Sequence, residues 1–269
     1  MDRVPYLFVN AVLHCMNSES LSAPRLLAHP LWSSVAEEHY QKRKDYAFRL
    51  CCYLTGEFQL FVDRIGEYTY FAAEEWLKSD RTHLRVRKLI FSSERSKYVP
   101  YKTIDEAVQC ALRMESYLNN LDDINIFFFV LTNKKGRFDF LWKRPCRNLT
   151  LADVEINVLR WHIENNDRLK SIDTHLLSYD EVRDLIHLCA KKQLTWEMRF
   201  GLTPNTLNSV KTWQGDAQWD EIYPTLTNDN TYVVPAQPER GRAFYEDEHM
   251  RKEFLWESDG GSSLTITWK

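Results

Sequence analysis

Residues 46–63, YAFRLCCYLTGEFQLFVD, alternate apolar and polar side chains on either side of Thr55-Gly56. Residues 124–142, INIFFFVLTNKKGRFDFLW, alternate in the same way around Asn133 to Gly136. Period-two alternation about a glycine-bearing turn predicts a β-hairpin, so two are expected. Further along, Leu84-Arg85-Val86 and Leu159-Arg160-Trp161 stand 75 residues apart, as do Thr103-Ile104-Asp105-Glu106-Ala107 and Ser178-Tyr179-Asp180-Glu181-Val182. Each of the latter pair opens on a hydroxyl able to cap a helix and carries two acids where they complement its positive end. Apolar stripes at Ile104, Ala107, Val108, Ala111 and Leu118, and at Val182, Leu185, Ile186 and Cys189, have helical spacing.

Self-similarity at a fixed period is read before any single element, because it sets the architecture. The unit is hairpin, short segment, strand, helix, in copies covering about 46–120 and 124–192. A third start, Thr195 to Leu202, degenerates within 193–269. Residues 203–243, with Pro204, Pro224, Pro235 and Pro238 among Asn, Asp and Thr, read as a long surface excursion. Phe254-Leu255-Trp256, a Ser258 to Gly261 turn, and Leu264 to Trp268 predict a closing hairpin. The expected class is α+β, an antiparallel sheet with helices built from tandem repeats over residues 46–269 and preceded by a helical module at residues 1–45.

In that module Leu7, Phe8, Ala11, Val12, Cys15 and Met16 form a broad apolar helix face behind Pro5. Adding Val9 and Leu13 makes the helix apolar nearly all round. A second helix is predicted from Trp32, Val35, Ala36, His39, Tyr40 and Arg43. Two or three short helices cannot bury so much apolar surface among themselves, so they must cover the following domain or another protein.

Composition narrows the rest. Apolar residues make up 44% and charged residues 27% of 269, which excludes wholesale disorder, collagen and coiled coil. With 35 Lys plus Arg against 38 Asp plus Glu, no global positive field draws the chain to nucleic acid or an anionic membrane. The longest apolar run, Ile126 to Leu131, is far shorter than the roughly 20 residues a membrane helix needs. The six cysteines are dispersed without a Cys-x-x-Cys pair, and no secretory signal opens the chain, so cytoplasm or nucleus is expected.

No catalytic signature is present, and an enzyme, a cofactor or a metal site is not expected. Asp184, His187 and Cys189 are the best candidate metal or acid-base set, read more simply as a half-buried helix face, since zinc needs three or four ligands. Cys51-Cys52 is expected to place one thiol in the core and one on the surface. The stretch Arg81 to Lys97 is a candidate phosphate-tracking surface, but alternation explains it as a wet face of Arg85 and Arg87 behind a buried face of Leu84 and Val86. Trp213, Trp219, Tyr223 and Tyr232 suit a partner hot spot or an anchor for their own loop.

Val4-Pro5, Leu7-Phe8-Val9, Val12-Leu13, Met16, Leu21 and His29-Pro30-Leu31-Trp32 resemble a shortened F-box, over about 40 residues. The opening Met-Asp-x-Val-Pro, the Leu-Trp before a Glu-x-His helix and the repeated hairpins resemble a nematode-expanded family of F-box-like proteins across most of residues 1–200. The resemblance implies a non-catalytic adaptor that binds the Skp adaptor of cullin-RING ubiquitin ligases through Val4, Pro5, Leu7, Phe8, Val12, Leu13, Met16, Leu31 and Trp32. Its distal domain would capture a protein substrate. Some members of that family neutralise a toxin protein, so sequestration without a ligase is the alternative, with nucleic-acid binding a second.

Overall fold

The computed structural model describes residues 5–16, 20–53, 55–67, 69–79, 83–93, 99–127, 135–152, 156–175, 185, 196–198, 240–246, 251–257 and 263–268. Helices α1 (Tyr6–Cys15), α2 (Ser22–Arg25) and α3 (Pro30–Lys42) come first, then strands β1 (Lys44–Cys52), β2 (Phe58–Arg64) and β3 (Tyr70–Ala72). Helix α4 (Ala73–Trp76), strand β4 (Leu84–Ser92), helix α5 (Ile104–Met114), strand β5 (Asp123–Phe127), helix α6 (Asp139–Trp142), strand β6 (Asn148–Ala152), helix α7 (Ile156–Asn165) and strand β7 (Ser171–His175) follow. Four short strands close the chain: β8 (Trp196–Met198), β9 (Arg240–Glu246), β10 (Arg251–Glu257) and β11 (Ser263–Trp268). One sheet has the order β3-β2-β1-β4-β5-β6-β7 and the other β8-β11-β10-β9. The fold is therefore α+β in composition.

Two compact units divide the chain: Met1–Ile90 with Glu94–Leu121 and Thr132–Leu141, and Phe91–Ser93 with Asp122–Leu131 and Trp142–Lys269. In the first, α1 follows Pro5 and α3 begins at Pro30, both where a missing backbone N–H costs nothing. The hairpin expected at 46–63 is present. β1 and β2 run antiparallel from Tyr46 opposite Arg64 to Cys52 opposite Phe58. Their turn needs a left-handed residue, and Gly56 supplies it at φ +82°. Arg49 and Asp63 pair across these strands at 2.9 Å. Helix α5 starts where the hydroxyl and acids predict, with Thr103 and Glu106 forming a reciprocal capping box. Its Ala107, Cys110, Ala111 and Met114 are buried.

The second unit departs from the repeat. Its β5 pairs parallel with β6, and residues 135–141, which belong to the first unit, form with Trp142 a 3₁₀ turn running into α6, so the described residues of 124–142 are not the expected hairpin. Phe138 and Leu141 are fully buried, so this short stretch satisfies helical spacing as well as alternation. Leu159-Arg160-Trp161 lies in α7, where Val158, Leu159, His162 and Ile163 make the buried face. The 75-residue offset thus matches a strand with a helix. β6 and β7 are also parallel, with α7 between them in sequence, so the expected antiparallel sheet is mixed.

In the same unit the closing hairpin is present as β10 and β11, antiparallel from Lys252 opposite Trp268 to Glu257 opposite Ser263. Residues 240–243, assigned to the surface excursion, belong instead to β9, which pairs with β10. Of the helix expected after Ser178, Leu185 is described, helical and fully buried. Among the described residues no helix is long and apolar enough to cross a membrane.

Candidate interaction surface

The three N-terminal helices close a small core of their own. Val9, Leu13, Leu21, Val35 and Ala36 are buried together, with Met16, Leu31 and Trp32 packed against them. Val9 and Leu13 are one helical turn apart on α1, so both turn inward, while Ala11 between them is exposed. Arg25 ties α2 to α3 through Glu37 at 2.5 Å and lies 3.8 Å over the ring of Tyr40. Arg43 meets the C-terminal end of α1, its guanidinium donating to the carbonyls of Leu13 and His14 at 3.5 and 3.4 Å. A cation there complements the negative helix end.

What this core leaves outside is apolar. Leu7 is 76% exposed, Phe8 55% and Tyr6 46%. Leu26 is 87% exposed and Leu27 49%. Large apolar side chains exposed singly are ordinary, and here five are exposed within 22 residues of one small module.

Among the side chains expected to dock on the Skp adaptor, Leu7, Phe8 and Pro5 are exposed, and Val12, Met16, Leu31 and Trp32 are half-buried. Leu13 is fully buried and serves the module's own core, so it has no free area to offer a partner. Val4 lies outside the described residues, as do Trp213, Trp219, Tyr223 and Tyr232 and the set Asp184, His187 and Cys189. Leu26 and Leu27 were missed by pattern. Their signal was an adjacent leucine pair after Pro24 with no place in either helical stripe.

Of the basic stretch, Arg85 is buried and Arg87 and Lys88 are half-buried, while Arg81, Arg95 and Lys97 lie outside the described residues. Arg85 is 3% exposed and, rather than lining a wet face, donates to the carbonyls of Met16 at 3.3 Å and Asn120 at 2.9 Å. Arg87 pairs with Asp45 at 3.2 Å. Cys51 and Cys52 are both buried, because β1 is covered on each face.

One buried network has the residue types of a nucleophilic site. Asn166 donates through Nδ2 to the Cys146 carbonyl at 2.9 Å and stands 3.3 Å from His162 Nδ1, while His162 Nε2 donates to the Trp142 carbonyl at 2.8 Å. Cys146 and His162 are completely buried. Burial pushes the thiol up to about 12 and the imidazole down to about 4, so neither a thiolate nor an imidazolium forms near neutrality. The network satisfies buried polar atoms and holds α7 to the segment before β6. Among the described residues no group of three or more His, Cys, Asp or Glu is arranged to hold a metal ion.

Comparison with protein-family models, with curated proteins and with solved structures finds no match to this chain.

Proposed function

We propose that the protein is a non-catalytic adaptor whose N-terminal helices dock on the Skp adaptor of a cullin-RING ubiquitin ligase while the remainder of the chain captures a protein partner. The observation that carries this reading is the outward apolar set Tyr6, Leu7, Phe8, Leu26 and Leu27 on a module whose own core is already closed. Burying a Leu or Phe side chain at an interface contributes about 1.5–3 kcal/mol, so two or three of them suffice to anchor a helix in a groove. Leu7→Asp with Phe8→Asp should abolish co-purification of the Skp adaptor while the thermal midpoint stays within a few degrees of wild type. Retention of the adaptor by this double variant rejects the docking assignment.

A second reading is favoured by Arg85, whose guanidinium reaches from β4 to the carbonyl that follows α1. Helices stitched into the strands in this way suit a binding protein that sequesters its partner without any ligase. Expression of residues 46–269 alone separates the two: a folded fragment supports a detachable docking module, and a precipitate supports helices that complete the core.

A further inference from the structure

Three histidines meet where α1, α3 and the turn before β4 converge. The ring of His39, on α3, lies 5.9 Å from that of His14, on α1, and 5.3 Å from that of His83, both edge to face. His39 is completely buried. Its Nε2 is 2.7 Å from Asn10 Oδ1 of α1, so the neutral ring carries its proton there and donates to the amide oxygen. Its Nδ1 is buried with no hydrogen-bond partner. A second proton on this ring would therefore be a buried N–H without an acceptor, facing Arg43 and two further imidazoles.

We propose that His14, His39 and His83 form a proton-operated latch, in which α1 stays seated on α3 only while the His39 ring is neutral. The two carboxylates that favour the charged rings, Glu38 for His39 and Asp45 for His14, are already engaged by other cations. From α3, Glu38 is engaged by Lys42 at 2.9 Å and by His83 at 3.4 Å. From β1, Asp45 is engaged by Arg43 and Arg87, each at 3.2 Å. From β4, Arg85 adds positive charge beside His14, and from α1, the Tyr6 side chain stands near Lys42. The position of His39 in the last turn of α3 favours a cation by a fraction of a kcal/mol. Burial outweighs it. Burial first, then the neighbouring His83, His14 and Arg43, pushes His39 down to about 4, and burial with Arg43 lowers His14 in the same direction.

The sign follows. A histidine whose folded pKa is depressed binds its proton more readily when released, so the latch weakens as pH falls from 6.5 toward 4. Opening α1 restores the ring to water, and between pH 7 and pH 5 the opening equilibrium of α1 should rise roughly 20-fold.

Amide hydrogen exchange on the full-length chain, corrected for intrinsic rates, reads this opening in the peptide covering α1. The rise is expected in wild type and in His162→Gln, whose site lies in the other unit. It should be largely absent in His39→Gln, which keeps a donor for Asn10 but takes up no proton. Equal protection of α1 at the two pH values in wild type, or an undiminished rise in His39→Gln, overturns the latch. Should His39→Gln fail to fold, NMR titration of the wild-type ring decides. Protonation well below pH 6 supports the latch, and protonation near 6.5 with α1 still protected defeats it.

Discussion

Leu7 and Leu13 are the same side chain on one helix, six residues apart, and differ only in what faces them. Leu13 is fully buried among Val9, Leu21, Val35 and Ala36, whereas Leu7 is three-quarters exposed. Leu13→Ala should therefore cost about 2–5 kcal/mol in urea denaturation, and Leu7→Ala should stay within about 0.5 kcal/mol. If the two cost the same, the inward and outward faces of α1 are misassigned. Cysteine chemistry makes a similar contrast. Cys146 and Cys110 are buried thiols pushed up to about 12, the first by burial and the second by burial and Glu74. Cys15 is exposed. Alkylation of the native protein at pH 8 should label Cys15 within minutes and reach Cys146 and Cys110 only after denaturant is added, as peptide mass mapping will show.

The elements that sequence pattern locates best are those fixed by neighbours along the chain. Thr103 and Glu106 close a capping box three residues apart, and the carboxylate is held below its usual range first by the Thr103 backbone N–H and then by the Thr103 hydroxyl. Thr103→Ala should cost about 1 kcal/mol of stability, with the loss concentrated in exchange protection of the first turn of α5. An unchanged denaturation midpoint would show that tertiary packing of Ala107, Cys110, Ala111 and Met114 alone sets the helix start. The hairpin of β1 and β2 was legible for the same local reason, period-two alternation about Gly56. The second hairpin was not, because RFDFLW satisfies two periods at once, and pairing of β5 with β6 is a parallel contact between segments more than 20 residues apart. Nothing within one segment encodes such a partner.

Acid stability gathers contributions from both units. His162, completely buried in the second unit, is pushed down to about 4 by burial despite the Trp142 carbonyl that holds its Nε2–H. His39 is pushed down to about 4 in the first. Each binds more protons when unfolded than when folded between pH 6.5 and 4, so stability falls with pH across that window and levels off below it. A shift of this size at one fully buried ring corresponds to a few kcal/mol. Urea midpoints should thus drop between pH 7 and pH 4.5, and less so in His162→Gln. A flat profile would mean that neither ring stays neutral in the folded chain.

Local patterning was enough to place α1, α3, the first hairpin, α5 and the closing hairpin, because periodicity, a proline at a helix start, a left-handed glycine and a capping box all act within a few residues. The apolar surplus of the N-terminal helices was legible too, but not its direction. A helix apolar nearly all round does not say which of its sides finds Val35 and Ala36. Direction came from packing, which sealed Leu13, left Leu7 and Phe8 outside, and drew Arg85 inward to two backbone carbonyls that alternation alone would have left to water. Burial is a property of what comes to lie opposite a side chain, and for these residues that neighbour is distant along the chain.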